Sequence, residues 1–295
     1  MNTAIPPPRS PVRLTHPDRL YWPDAGVTKQ GLADYYGAVW RQMAPFVVAR
    51  PLALLRCPAG MDGGCFFQKH AWRGLSKSIR LSPDPKDAAG EKLLGITDLD
   101  GLTGLVQGGV LEIHPWGATL AAIEQPDQII VDLDPGDGVD WTAVIAAAEE
   151  IRQRLERRGL AAFVKTSGGK GLHVVAPLQP QADWDAVKAF AKNLADDMAQ
   201  DSPDRYVAVV AKAKRRGRIL LDYLRNTRGA TAVAPYSTRA RPGAPVALPL
   251  AWDELGAGPC KFTVATALVR LASLTADPWA GFHDAAVPLP DVTKR

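Results

Sequence analysis

Cysteine is scarce in this chain of 295 residues. The three present, Cys57, Cys65 and Cys260, stand at irregular spacing and form no C-x-x-C pair. Such spacing offers no disulfide framework, and it fits no common zinc site even with His70 added. The expectation is free thiols in a reducing compartment. Long apolar runs are missing as well. No segment approaches the roughly 20 apolar residues that a membrane span requires, and residues 1–10 are polar and proline-rich, without an apolar leader. A cytoplasmic protein with no membrane partner is therefore expected. A strong charge of either sign is absent too: 35 Lys and Arg stand against 31 Asp and Glu, a net +4 with a pI near 9.0. That balance permits a polyanionic partner without establishing one. No internal repeat is visible. A hydrophobic content of 46% with 22% charged residues is what a globular chain with a large core carries.

What is present is concentrated in a few stretches. Asp127-Gln-Ile-Ile-Val-Asp-Leu-Asp-Pro-Gly-Asp137 joins an apolar run to acids and a turn, the pattern of a buried strand with polar residues at its end. Alternation along a strand puts Asp132 and Asp134 on one face and Leu133 on the other. Two neighbouring carboxylates at the end of an apolar strand resist desolvation unless a cation neutralises them. Oxygen ligands of this kind suit Mg²⁺ or Mn²⁺; the competing reading is a plain Asp-Pro-Gly turn with solvated acids. Asp222, within Gly217-Arg-Ile-Leu-Leu-Asp-Tyr-Leu-Arg225, which reads as another strand, is a third acid inside an apolar run. It needs a partner, which is either Arg225 or a metal.

The strand read over residues 161–165 opens into Ser167-Gly-Gly-Lys-Gly171, and Leu172-His-Val-Val-Ala176 follows at once. This is not a Walker A loop, since Gly follows Lys170 and a strand replaces the helix. A strand–glycine loop–strand element can aim backbone N–H groups at an anion, with Ser167, Lys170 and His173 adding donors. It can equally be a simple hairpin turn. Lys212, Lys214, Arg215, Arg216 and Arg218 form a basic cluster, followed by Arg225, Arg228, Arg239 and Arg241; a solvated face and a polyanion site both fit it. Thr28 is read as the cap of a helix carrying Leu32, Tyr35, Tyr36, Val39 and Trp40. Asp140 is read as the cap of a helix over residues 141–158 ended by Gly159. Further helices are read over 184–198 and 263–274, a helical or irregular segment over 99–107, a polar loop over 82–92, and strands over 52–56 and 111–114. In Cys65-Phe-Phe-Gln-Lys-His70 one of the paired rings, Phe66 or Phe67, faces out if the segment is a strand, available to stack on a base or to pack in the core.

Acids on strands, an anion loop and paired arginines are the parts that phosphoryl transfer needs. The sequence resembles the polymerase domain of bacterial DNA ligase D, a branch of the archaeo-eukaryotic primase superfamily acting in non-homologous end joining. Carrying the resemblance are Val131-Asp-Leu-Asp-Pro135, Thr166-Ser-Gly-Gly-Lys-Gly-Leu-His173, Leu221-Asp-Tyr-Leu-Arg-Asn226, Arg228-Gly-Ala-Thr231 and Tyr236-Ser-Thr-Arg-Ala-Arg241. The shorter stretches His16-Pro-Asp-Arg19, Phe66-Phe-Gln-Lys-His70 and Leu111-Glu-Ile-His114 add to it.

The resemblance implies an α+β fold, primase-polymerase-like with an RRM-like catalytic core: two small β-sheets with flanking helices around a basic catalytic cleft. It implies a single domain over residues 1–295, with a flexible arm (1–12), a part contacting DNA ends (13–115), a catalytic core (116–250) and a C-terminal helix with loops (251–295). The implied activity is template-directed nucleotidyl transfer at DNA ends and gaps, with NTPs or dNTPs as substrates and ribonucleotides preferred. Asp132, Asp134 and Asp222 would hold two Mn²⁺ or Mg²⁺ ions. Ser167, Lys170, His173, Arg225, Arg239 and Arg241 would serve the nucleotide, with His114 near its sugar. Arg19 and Lys29 would take the 5′-phosphate of a DNA end or gapped duplex, and Phe66 or Phe67 would stack on template. Arg19 stands where the family usually has Lys, which keeps the charge and adds a bidentate fork. The K-x-D-G motif of a ligase nucleophile is missing, so an ATP-dependent DNA ligase is implied in cis or in trans, with Ku as a further partner. Two other functions compete: a non-catalytic module that binds DNA ends and recruits repair partners, and a two-metal nuclease.

Overall fold

A computed structural model of the protein describes residues 8–211, 214–257 and 262–291. Residues 1–7 of the expected arm, Lys212 of the basic cluster and Cys260 lie outside the described residues. Among the described residues, the α-helices are α1 (Lys29–Val47), α2 (Leu99–Gln107), α3 (Trp141–Glu156), α4 (Trp184–Asp201) and α5 (Val264–Ser273). Each begins at an oxygen that its sequence supplies. Thr28 Oγ1 accepts from Gly31 N, Asp98 from Gly101 N, Asp140 from Ala143 N, Asp183 from Ala186 N and Thr263 from Thr266 N. These caps satisfy amides that the first helical turn leaves without a partner. No helix among the described residues is long and apolar enough to cross a membrane.

The chain forms two compact units. The first takes in residues up to Pro115 and then Val233–Val246 and Phe262–Thr275. A two-stranded antiparallel ribbon, β1 (Leu20–Trp22) with β2 (Val27–Thr28), leads into α1. Behind it lies a five-stranded sheet of β3 (Leu52–Arg56), β4 (Phe66–Gln68), β5 (Arg80–Pro83), β6 (Lys92–Gly95) and β7 (Val110–Pro115). The expected polar loop over 82–92 begins within β5 and ends at β6. The segment over 99–107 is helical. α1 packs against α2 and α5 and buries Leu32, Tyr35, Tyr36, Val39 and Met43, at helical spacing.

The thiol expectation is corrected here: Cys57 and Cys65 are joined in a disulfide. Strands β3 and β4 are antiparallel with Arg56 opposite Phe66, so the next residues outward, Cys57 and Cys65, face each other across the mouth of the hairpin. Their Cα atoms are 4.4 Å apart, within bridging distance. Spacing along the chain carried no sign of this, because strand register decides which residues meet.

The second unit comprises Trp116–Ala232, Ala247–Lys261 and Ala276–Arg295. Its sheet runs in the order β11 (Tyr206–Val207), β12 (Ile219–Asp222), β8 (Gln128–Pro135), β10 (Leu172–Pro177), β9 (Phe163–Thr166) and β13 (Pro249–Leu250). All pairings are antiparallel except that of β11 with β12. Helix α3 packs on β8 and β10, and α4 on β8 and β11. The central strand β8 buries Ile129, Ile130, Val131 and Leu133, as a strand covered on both faces does. The fold is α+β with two main sheets, to which the structure adds the β1–β2 ribbon.

Candidate active site

In the second unit the strand register assembles a polar row across the sheet. Asp222 on β12 is paired with Asp132 on β8, Asp132 with His173 on β10, and His173 with Lys165 on β9. Directly paired residues of antiparallel strands project to the same face, so four ionisable side chains line up on one side of a mostly apolar sheet. His173 Nε2 lies 3.4 Å from Asp132 Oδ1. Arg225, from the 3₁₀ turn that follows β12, reaches across: its Nη2 is 3.1 Å from Asp132 Oδ2 and 3.3 Å from Asp222 Oδ2. Asp134, on the same face one step along β8, is exposed and held by Arg215 at 2.8 Å.

The electrostatics follow from this row. Burial works to raise the Asp132 carboxyl, but His173, Arg225 and Lys165 outweigh it and hold the group well below the usual carboxylate range. Burial and the charge of Lys165 push the His173 imidazole down to about 4, against the pull of Asp132. At neutral pH the ring is therefore uncharged, and Arg225 and Lys165 supply the positive charge that Asp132 needs. The Asp222 carboxyl is raised, first by burial and further by Asp132, with Arg225 opposing.

The structure does not bring the three acids to one point. Among the described residues no group of three or more His, Cys, Asp or Glu side chains is close enough to hold a metal ion. Asp132 and Asp222 share Arg225, while Asp134 is drawn aside by Arg215. The donor set nevertheless suits a hard divalent cation: all-oxygen carboxylates on adjacent strands, each already taking a cationic partner.

The loop between β9 and β10 is closed by its serine. Ser167 Oγ accepts from Gly169 N and Gly171 N at 3.3 Å each, and Ser167 N donates to Gly171 O at 3.0 Å. Lys170 is exposed at its tip. A Cβ on Gly171 would come within 1.8 Å of Leu133 O, so only glycine lets the loop lie this close to β8.

The first unit carries the remaining predicted residues. His114 Nε2 lies 2.8 Å from Glu112 Oε2, and Arg239 Nε lies 2.9 Å from the same oxygen. Arg241 is exposed two residues further on. The β1–β2 ribbon brings Arg19 and Lys29 together: Lys29 N donates to Arg19 O at 2.8 Å, and Lys29 Nζ donates to Thr15 O at 2.9 Å. Burial, with Arg19 adding to it, pulls the Lys29 ammonium down from its ordinary 10.5 to about 8. Phe66 and Phe67 are both exposed, at 48% and 60%, because β4 is a short strand with no covering layer. The Phe67 ring meets His114 edge-on, with centroids 5.5 Å apart, and Arg56 stacks over Phe66 and Trp72.

Reading the sequence alone missed Glu112, Lys165, Arg215 as the partner of Asp134, and Asn226. Glu112 had a usable signal. It is an acid in an apolar strand, two residues before His114, and the reasoning applied to Asp222 reaches it. Lys165 and Asn226 had none, because their roles depend on which strands lie side by side.

The family described as LigD, primase-polymerase domain, matches residues 28–279. The multifunctional non-homologous end joining protein LigD of Pseudomonas aeruginosa is 39% identical over 92% of this chain. Its counterpart in Mycolicibacterium smegmatis is 31% identical over 83%. The chain spans about a third of the length of these curated relatives, 33% and 32%. A solved structure of the polymerase domain of Mycobacterium tuberculosis ligase D in complex with DNA superposes with a TM-score of 0.86 at 27% identity, covering 93% of this chain and 99% of that one. The chain belongs to the LigD primase-polymerase domain family.

Proposed function

We propose that this chain is a template-directed polymerase that adds ribo- or deoxyribonucleotides to primer 3′-ends at DNA breaks and gaps. The observation that carries the reading is the row Asp222–Asp132–His173–Lys165, with the Ser167–Lys170 loop at its edge. Asp132, Asp134 and Asp222 are the residues that would hold two divalent ions, Mn²⁺ or Mg²⁺, and those ions would supply Lewis-acid activation of a hydroxyl and charge neutralisation on phosphate oxygens. His173, 3.4 Å from Asp132 Oδ1, is assigned with the loop residues to the triphosphate. In the second unit Ser167, Lys170 and Arg225 are assigned to the triphosphate; in the first unit Arg239 and Arg241 are assigned to the nucleotide and His114 to its sugar. Arg225 and Arg215 now neutralise Asp132 and Asp134, the charge that divalent ions would otherwise balance.

Arg19 and Lys29 take the 5′-phosphate of the downstream strand, and the exposed rings of Phe66 and Phe67 stack on template bases. A similar domain solved in complex with DNA supports DNA as the partner. An ATP-dependent ligase, in cis or in trans, and Ku complete the end-joining reaction at the bacterial nucleoid, in the cytoplasm.

The test is primer extension on a gapped duplex bearing a 5′-phosphate, with Mn²⁺ or Mg²⁺ and either rNTPs or dNTPs. The native chain is expected to extend by template, favouring rNTPs. Asp132→Ala is expected to lose extension while retaining end binding. Undiminished extension by Asp132→Ala refutes the metal assignment, and end binding without extension by the native chain points to a recruitment module.

A further inference from the structure

We propose that Glu112 is a positioning residue of the nucleotide site, fixing the tautomer of His114 and the aim of Arg239. The inference rests on the assignment of His114 and Arg239 to the nucleotide, and adds a residue to which that assignment gave no role. Glu112 precedes His114 by two positions on β7, so both side chains project to one face. The carboxylate is 3% exposed, and a buried carboxylate persists only where donors converge on it. They do so from two segments of chain. Oε2 lies 2.8 Å from His114 Nε2, Oε1 accepts from Ala240 N at 2.8 Å, and Arg239 adds an ion pair with its Nε 2.9 Å from Oε2. Burial opposes the charge, but the histidine hydrogen bond and Arg239 outweigh it and keep the carboxyl below its usual range.

The chemical consequence is specific. An ionised carboxylate only accepts, so the proton facing it must sit on His114 Nε2. In the neutral ring Nδ1 then becomes an acceptor, suited to a hydroxyl donor such as that of a sugar. The edge-on contact with Phe67 holds the same ring from another side. The bond to Ala240 N ties the turn that carries Arg239 and Arg241 to β7. One buried carboxylate thus sets the protonation of one predicted nucleotide ligand and the orientation of another.

The experiment has two parts, both on the full chain. In ¹⁵N NMR of the native protein, the His114 ring is expected to carry a proton on Nε2. A proton on Nδ1 alone overturns the proposal without any variant having to fold. Glu112→Gln, checked for a native melting profile, is expected to give a mixture of tautomers. It should raise the KM for nucleotide on the order of tenfold, with a smaller change in kcat and a reduced preference for rNTPs over dNTPs. In a His114→Ala background the loss of sugar preference on adding Glu112→Gln should vanish. If His114→Ala raises KM but Glu112→Gln keeps the native tautomer and KM, the role of Glu112 is refuted and the nucleotide assignment stands. If His114→Ala and Arg239→Ala both leave KM unchanged, the nucleotide assignment itself fails, and the role proposed for Glu112 fails with it.

Discussion

Replacing Asn226 by alanine isolates the device that holds the candidate site in register. Strand β12 stops at Asp222, opposite Asp132, and the chain turns into a 3₁₀ segment over Leu224–Asn226. Beyond that point β8 has no strand beside it on this edge among the described residues. The Asn226 side chain takes the strand's place: its Oδ1 accepts from Ile130 N at 2.8 Å and its Nδ2 donates to Ile130 O at 2.7 Å. The second Nδ2 proton goes to Tyr223 O at 2.8 Å. A side-chain amide thus continues a backbone ladder, pinning the turn that carries Arg225. Asn226 is 2% exposed, so water does not readily replace it. Losing three such bonds at about 1 kcal/mol each, and leaving buried groups of Ile130 without partners, sets the cost at about 3–5 kcal/mol. Because the chain has two compact units, amide exchange at Ile130 is a sharper probe than global unfolding. Asn226→Ala is expected to speed that exchange by about a hundredfold to a few thousandfold, every 1.4 kcal/mol being tenfold. Asn226→Asp keeps one acceptor but turns a carboxylate toward two carbonyls, and is expected to be no milder. Exchange within a few-fold of native for Asn226→Ala, with unfolding free energy changed by less than about 0.5 kcal/mol, would refute the reasoning.

Gly171→Ala places a Cβ 1.8 Å from Leu133 O, a backbone atom of β8. The loop must therefore lift off the strand, and a thermal melt is expected to show destabilisation above about 2 kcal/mol, with weakened nucleotide binding by titration. Lys29 gives a pH dependence of definite sign. Its pKa is about 8 in the folded chain, below the ordinary 10.5, so the unfolded chain binds more protons between those values and native stability rises with pH across that window. Lys29→Met is expected to flatten that rise in denaturant titrations. The advantage of a 5′-phosphorylated over a 5′-hydroxyl end is expected to shrink above pH about 8 and to persist in Lys29→Arg, whose side chain stays charged. An end preference unchanged with pH in the native chain would remove Lys29 from the phosphate site.

Local chemistry makes much of this protein legible in its sequence. The caps Thr28 and Asp140 stand where their helices begin, because an N-cap is a contest between one side chain and amides two or three residues away. Alternation settled that Asp132 and Asp134 share a face with Leu133 buried behind them, since a strand has period two whatever it packs against. The order of glycines and donors in 167–171 sufficed to read a loop between two strands.

Quantities that depend on register were out of reach. The strand read from Gly217 to Arg225 is only Ile219–Asp222, because tertiary packing turns the chain so that Arg225 and Asn226 can reach β8. Free thiols were expected at Cys57 and Cys65, and a hairpin put them opposite each other. The return of residues Val233–Val246 to the first unit brings Arg239 to Glu112 across more than a hundred positions of chain. The sequence by itself determined which residues can carry charge, cap a helix or tolerate a tight turn, since those properties belong to a residue and its near neighbours. Only the tertiary structure decided which charges meet: Asp222 with Asp132, His173 with Lys165, Glu112 with His114 and Arg239. Pairing across strands is a property of the whole sheet, and a slip of one residue would have sent each of these side chains to the opposite face.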